Sequence, residues 1–180
     1  MIQNRRALYR HLFPHHGVGA EIGVYRGRNA EYLLKDAKPH KLYLVDSWRQ
    51  LPGSPNRPNH DQATLRRVYR RVKQRFARYA RVHILPVLSI RAARLFDPDS
   101  FDWVYIDAAH DDASVTLDLA AWWPLVRPGG WLAGHDYLDD PPVYGVKSAV
   151  DRFAADRTLE VGVTGESSFP SWYLQKPARG

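Results

Sequence analysis

The stretch Gly17–Asp46 reads GVGAEIGVYRGRNAEYLLKDAKPHKLYLVD. Its start, Gly17–Val24, is an apolar run that breaks at a glycine turn, which predicts a buried strand. Asn29–Lys35 continues as a helix. Lys41–Val45, bounded by Pro39 and Asp46, is a second apolar run. Strand, helix and strand within about thirty residues form a parallel crossover unit, because parallel neighbours cannot be joined by a tight hairpin.

The same alternation continues outward. Residues 3–13 carry Ala7, Leu8, Leu12 and Phe13, predicting a short helix within an N-terminal segment 1–16. Arg49–His60 has three prolines, one glycine and two asparagines, so residues 49–64 are expected to form a loop or lid. Leu65, Val68, Tyr69, Val72, Phe76 and Tyr79 then recur at helical offsets. Val82–Leu88 and Phe101–Ile106 are the third and fourth expected strands, and the fourth stops at Asp107. A helix over Ala113–Trp123 ends at Pro124; Arg127–Gly130 is expected to turn into a fifth strand, Trp131–Gly134. Val146–Arg157 is predicted helical, and Leu159–Val163 with Ser171–Gln175 are two closing strands. The expectation is a three-layer α/β sandwich around a mostly parallel sheet, with ligands beyond the carboxyl ends of the strands.

Composition agrees with one globular domain over residues 1–180, being 44% hydrophobic and 25% charged. No apolar run is long enough for a membrane span, and MIQNRRALYRHLF lacks the apolar stretch of a signal peptide, so a soluble, cytoplasmic protein with no membrane partner is expected. The absence of cysteine excludes disulfides, thiolate metal sites and cysteine nucleophiles.

Glu21-Ile-Gly23-Val-Tyr-Arg-Gly27 places an acid two residues before a glycine, and a second glycine four residues later. Missing side chains at Gly23 and Gly27 would let the backbone approach a ligand, while Glu21 could accept hydrogen bonds from an ammonium group. Asp46, ending the second strand, is placed to bind ribose hydroxyls. A dinucleotide-binding turn would need Gly-x-Gly-x-x-Gly here, and EIGVYRG does not supply it.

On these residues the chain resembles the class I S-adenosylmethionine-dependent methyltransferases, whose first motif, acid-x-Gly-x-x-x-Gly, stands here as EIGVYRG and whose ribose-binding acid stands as Asp46. The resemblance implies a Rossmann-like fold with a seven-stranded, mostly parallel sheet and an antiparallel last strand, S-adenosylmethionine as cofactor, and Ser89 beside the adenine, although the glycine usual nearby is replaced by Val87 or Leu88. Within that class the chain is similar to metal-dependent O-methyltransferases of the catechol and natural-product sugar types. Carried over by position, Asp107, His135 and Asp136 would hold a divalent metal, Mg²⁺ or Mn²⁺ or another transition metal, with Asp107 also bordering the cofactor. His110, three residues after Asp107, would be the base. Histidine at 135 stands where an acid or amide is commoner, and Asp112 where relatives carry an aromatic. Trp48 and Tyr137, each just past a strand end, are expected as substrate-pocket walls. The pocket would be open, closed by the Arg49–His60 loop, or completed by another subunit of a homo-oligomer.

The leading expectation is therefore O-methylation of a hydroxylated small molecule. The alternatives are an RNA or other nucleic-acid methyltransferase and a non-catalytic nucleic-acid-binding module. They are motivated by the net charge of +7. No Asn/Asp-Pro-Pro-aromatic tetrapeptide follows the fourth strand, where the chain has DAAH, and Asp140-Pro-Pro-Val143 follows the fifth and lacks the aromatic. Eight basic residues and no acid lie between Leu65 and Arg81. Without them the chain would be nearly neutral, so the charge belongs to one helix, whose arginines are expected to face solvent.

Overall fold

A computed structural model describes residues 1–50, 61–140 and 143–179. Five parallel strands, β1 (Val18–Ile22), β2 (Lys41–Val45), β3 (Val82–Leu85), β4 (Phe101–Ile106) and β5 (Val126–Gly134), form most of one sheet. Two short strands, β6 (Asp139–Asp140) and β7 (Tyr144–Gly145), pair separately, and β8 (Gly162–Val163) and β9 (Trp172–Gln175) complete the main sheet. Its order is β3-β2-β1-β4-β5-β9-β8, with β9 antiparallel to both neighbours. The seven-stranded, mostly parallel architecture with an antiparallel last strand is thus present.

The helices are α1 (Arg5–Leu12), α2 (Arg28–Asp36), α3 (Gln62–Phe76), α4 (Ser89–Ala93), α5 (Asp112–Trp122) and α6 (Val146–Ala155). Alternating side chains of the central strands divide the core in two, as the period-2 pleat requires. Trp103 and Tyr105 of β4 pack with Leu42 and Leu44 of β2 against Tyr9 of α1, Leu33 of α2 and Val72 of α3. Val104 and Ile106 of β4 pack with Ala20 and Ile22 of β1 against Leu119 and Trp122 of α5 and Val150 of α6. The result is three layers.

Local signals fix where several helices begin. Asn4 accepts a hydrogen bond from the Ala7 N–H at 3.0 Å, Asp61 from Thr64 at 2.6 Å, and Asp111 from Ser114 at 3.0 Å, each filling the N-cap role. The cap at Asp61 puts residues 62–64 in α3, correcting the expected loop over 49–64; of that loop, residues 51–60 lie outside the described residues. Arg127–Gly130 is also not a turn preceding the fifth strand. It lies inside β5, where the register to β4 jumps between Phe101↔Val126 and Trp103↔Trp131, as in a bulge. Among the described residues no helix is long and apolar enough to cross a membrane.

Candidate active site

The carboxyl ends of β1, β2, β4 and β5 lie along one edge, and every acid singled out in the sequence sits there. Three non-glycine residues at this edge, Tyr25, Trp48 and Asp136, adopt positive φ of 46°, 42° and 56°. Such conformations cost energy and persist only where the surroundings enforce them.

At the β1 end, Glu21 is fully buried. Burial drives its carboxyl well above the ordinary range; the Asn29 amide and the Arg5 charge pull against this, whereas Asp107 and Asp46 reinforce it. Neither Glu21 oxygen, nor Asn29 Nδ2, completes a hydrogen bond. Asn29 is held by its other atom, Oδ1, which accepts from the Tyr9 hydroxyl at 2.8 Å. A buried carboxylate without a donor is costly, and an incoming ammonium group would supply one, so this site fits the amino-acid end of S-adenosylmethionine.

The glycines of the turn meet protein before they meet ligand. A Cβ on Gly23 would lie 1.9 Å from the Asp107 carbonyl oxygen, and one on Gly27 would lie 2.8 Å from the Phe76 ring of α3. Gly27 also takes φ +74° at the start of α2, the left-handed region. Asp46 holds the turn from the other side: its Oδ2 accepts from the N–H groups of Val24 at 3.2 Å and Tyr25 at 2.9 Å, and its Oδ1 from Trp48 at 2.8 Å. The sequence reading assigned these residues to ligand contact; the structure shows what they do for the turn itself.

Ser89 starts α4, with its hydroxyl turned to α5, donating to Asp118 at 2.5 Å and accepting from Trp122 Nε1 at 2.8 Å. Trp48, expected as a pocket wall, is only 3% exposed: its ring packs on Tyr69 of α3 at 4.8 Å and its Nε1–H donates to the Tyr25 carbonyl at 2.9 Å. The positive φ turns it inward, so it braces α3 rather than lining an open cavity. Tyr137 is half-buried, with its hydroxyl donating to Asp151.

The β4 and β5 ends bring together Asp107, His110 and Asp136, whose ligand atoms lie within 4.8 Å of one another. His110 Nε2 is 2.9 Å from Asp136 Oδ2 and 3.7 Å from Asp107 Oδ1, yet it is aligned for a hydrogen bond with neither. Burial alone would lower the His110 pKa, but contact with the two carboxylates and their charge outweigh it and raise it to about 9. Asp136 is buried, which opposes ionisation, and His110 and His135 overcome this and hold its carboxyl well below the usual range. His135 stands outside the group of three. Its Nδ1 contacts Asp136 Oδ1 at 2.8 Å, so it orients the carboxylate from behind.

Tyr144 is a neighbour that the sequence reading did not single out. Its ring stacks on His110 at 5.2 Å and 13°, with Phe169 6.1 Å beyond it, and the Gly145 N–H donates to the His110 carbonyl at 2.8 Å. Phe169 is 45% exposed and, at φ 52°, held in a strained backbone just before β9. The only local signal was an aromatic-glycine pair before α6, because a two-residue strand has no periodicity to read.

No curated protein matches the chain by sequence. Among solved structures, a Corynebacterium glutamicum protein is similar at 15% identity and TM-score 0.65, over 97% of this chain and 79% of that one. An O-methyltransferase family protein from Burkholderia thailandensis is similar at 16% identity and TM-score 0.66, over 91% of this chain; the chain spans only 52% of that protein's length. Fibrillarin from Aeropyrum pernix, solved with natively bound S-adenosyl-L-methionine, is similar at 16% identity and TM-score 0.62, over 94% and 72% of the two chains. At these identities the likeness is one of fold. A family model for the methyltransferase domain matches residues 20–137, well over half of the sequence and the span from the glycine turn through the Asp107–Asp136 edge. The chain therefore belongs to the methyltransferase-domain family and is a class I S-adenosylmethionine-dependent methyltransferase.

Proposed function

We propose that this methyltransferase acts on a hydroxyl of a small molecule, a catechol, phenol or sugar, with the help of a divalent metal. The observation that carries the reading is the convergence of Asp107, His110 and Asp136 from two strand ends onto one point beside the cofactor turn. Carboxylate oxygens suit Mg²⁺ or Mn²⁺, and a nearby histidine nitrogen shifts the preference toward a transition metal. When bound, S-adenosylmethionine supplies an electrophilic methyl group and the metal acidifies a hydroxyl beside it.

The chain's own groups divide the remaining work. Glu21 receives the ammonium end of the cofactor, and Asp46 keeps the Gly23–Gly27 turn in shape for its nucleoside end. Asp107 and Asp136 would hold the metal, and the His135 contact with Asp136 Oδ1 would keep that carboxylate oriented. His110 is the proton acceptor. With a pKa of about 9 it is protonated at neutral pH and acts as counter-ion to the two carboxylates; a cation held by those carboxylates would lower that pKa and leave the imidazole able to accept a proton. Tyr144 and Phe169 offer ring surface next to His110, which favours planar substrates. Holding both reactants in register removes the entropy cost of their encounter.

The test is calorimetric titration of Mg²⁺ and Mn²⁺ into the wild type and Asp136→Ala, both with S-adenosylhomocysteine, alongside methylation of a panel of catechols, phenols and sugars with and without chelator. Equal metal binding by the two proteins would sink the site. Methylation indifferent to chelator would remove the metal from the reaction.

A further inference from the structure

The basic residues of α3 cover the face opposite its buried stripe. Arg66, Arg67, Arg70 and Lys73 converge with Ala63 and Tyr69 on one open concavity of about 550 Å³. All four cations are exposed. Pairs among them stand three and four residues apart, the spacing at which like charges on a helix repel.

Among the described residues none of the four pairs with a carboxylate: Arg67 donates to the Thr64 hydroxyl at 2.8 Å, and the Lys73 ammonium lies 4.9 Å from the Tyr69 ring centre. The ion pair of this helix among the described residues, Arg75 with Glu31 at 3.4 Å, lies toward its other end. Asp61, at the start of the helix, accepts from the Thr64 N–H at 2.6 Å and feels the charge of Arg67, leaving Arg66, Arg70 and Lys73 without a carboxylate partner among the described residues. The helix thus carries repulsion that an external anion would relieve.

We infer that this groove binds the phosphodiester backbone of a single-stranded nucleic acid. From Arg66 to Lys73 the stripe runs about 10 Å along the helix, the rise of about three nucleotides of a strand. Guanidinium forks match phosphate oxygens two at a time. A membrane surface fits poorly, because the apolar residues Leu65, Val68, Val72 and Phe76 are all buried against the sheet, leaving nothing to insert. The groove also neighbours the catalytic edge: Tyr69 in its lining stacks on Trp48, whose N–H is bound by Asp46. The inference does not depend on the metal-assisted reaction, since it concerns binding alone.

The experiment is fluorescence anisotropy of the whole chain with a labelled single-stranded RNA, with a DNA of the same sequence as a second arm. Binding is expected to weaken with salt at a log–log slope of about 3, from four cations at roughly 0.7 each. The triple variant Arg66→Glu, Arg70→Glu, Lys73→Glu should lose at least about tenfold in affinity and bring the slope to about 1, whereas Arg78→Glu with Arg81→Glu on the same segment should stay within about twofold. RNA and DNA bound alike, or RNA bound better, both support a backbone site. Absence of binding at low salt overturns it, as does equal loss in the two sets of variants. Polyglutamate or anionic vesicles bound as tightly as RNA would assign the groove to an acidic protein or a lipid surface instead. If the triple variant melts early, Arg66→Gln with Arg70→Gln, which relieves repulsion rather than adding acid, reads the same affinity change.

Discussion

The two halves of the strand edge are built on opposite principles. At the β1 and β2 ends the turn is held by the protein: Asp46 binds three backbone N–H groups, and the spaces beside Gly23 and Gly27 are taken by the Asp107 carbonyl and Phe76. Glu21 alone is left without a donor. At the β4 and β5 ends two carboxylates and two histidines crowd one another, and these contacts raise the pKa of His110 and lower that of Asp136. One half is a pre-formed mould with a single unsatisfied acid; the other is a cluster of opposed charges in contact, the site of the proposed cation.

The largest test of this contrast is Asp136→Ala. It removes the group that both histidines face, and methylation with metal affinity should fall by at least about 100-fold, the upper end for disrupting a metal site, in a steady-state assay and metal titration. A mould-side effect of that size from Asp46→Ala with S-adenosylhomocysteine binding intact would break the comparison.

Glu21→Gln comes next. It removes a buried carboxyl that lacks a donor, so the ligand-free protein should melt higher at neutral pH, while affinity for S-adenosylmethionine should fall about tenfold, or about 1.4 kcal/mol, by calorimetry. Loss of both stability and affinity would mean that Glu21 supports the fold rather than the cofactor.

Gly27→Ala probes the mould itself. A left-handed φ with a Cβ costs about 1 kcal/mol, and contact with Phe76 adds to it; thermal melting should show the loss, and metal affinity should not move.

The last test is a pH dependence. The folded pKa of His110, about 9, lies above its ordinary value of 6.5, so its stabilising contribution is complete below that ordinary value and is lost as pH rises toward 9. In chelator, the wild type should lose melting temperature over that interval more steeply than His110→Gln. Parallel curves would show that the cluster does not hold His110 protonated.

How much could be read beforehand follows from the range of the interactions. KLYLV and FDWVYI were legible as strands because every residue of a buried parallel strand must be apolar or tolerate burial, and the observed bounds coincide with those runs. The helix over 28–36 and the turn before it were legible because acid, glycine and glycine lie within seven residues. Arg127–Gly130 misled because glycine and proline mark a bulge as readily as a turn. His110 came from the family resemblance, which implies a base three residues after Asp107, but its raised pKa depends also on Asp136, which follows another strand. Trp48 was assigned to a pocket on position alone, and its rotation onto Tyr69 is a backbone feature that no residue type announces.

The sequence by itself determined the alternation of strands and helices, the glycine turn, the acids at the strand ends and the single basic helix, since all of these are carried by neighbours in the chain. Only the tertiary structure decided that Glu21 lacks a donor, that His110 rather than His135 stands between the two carboxylates, and that Tyr144 covers it. Each of those depends on groups far apart in sequence meeting at low dielectric, where a carboxylate or imidazole takes its charge from whatever the fold has placed beside it.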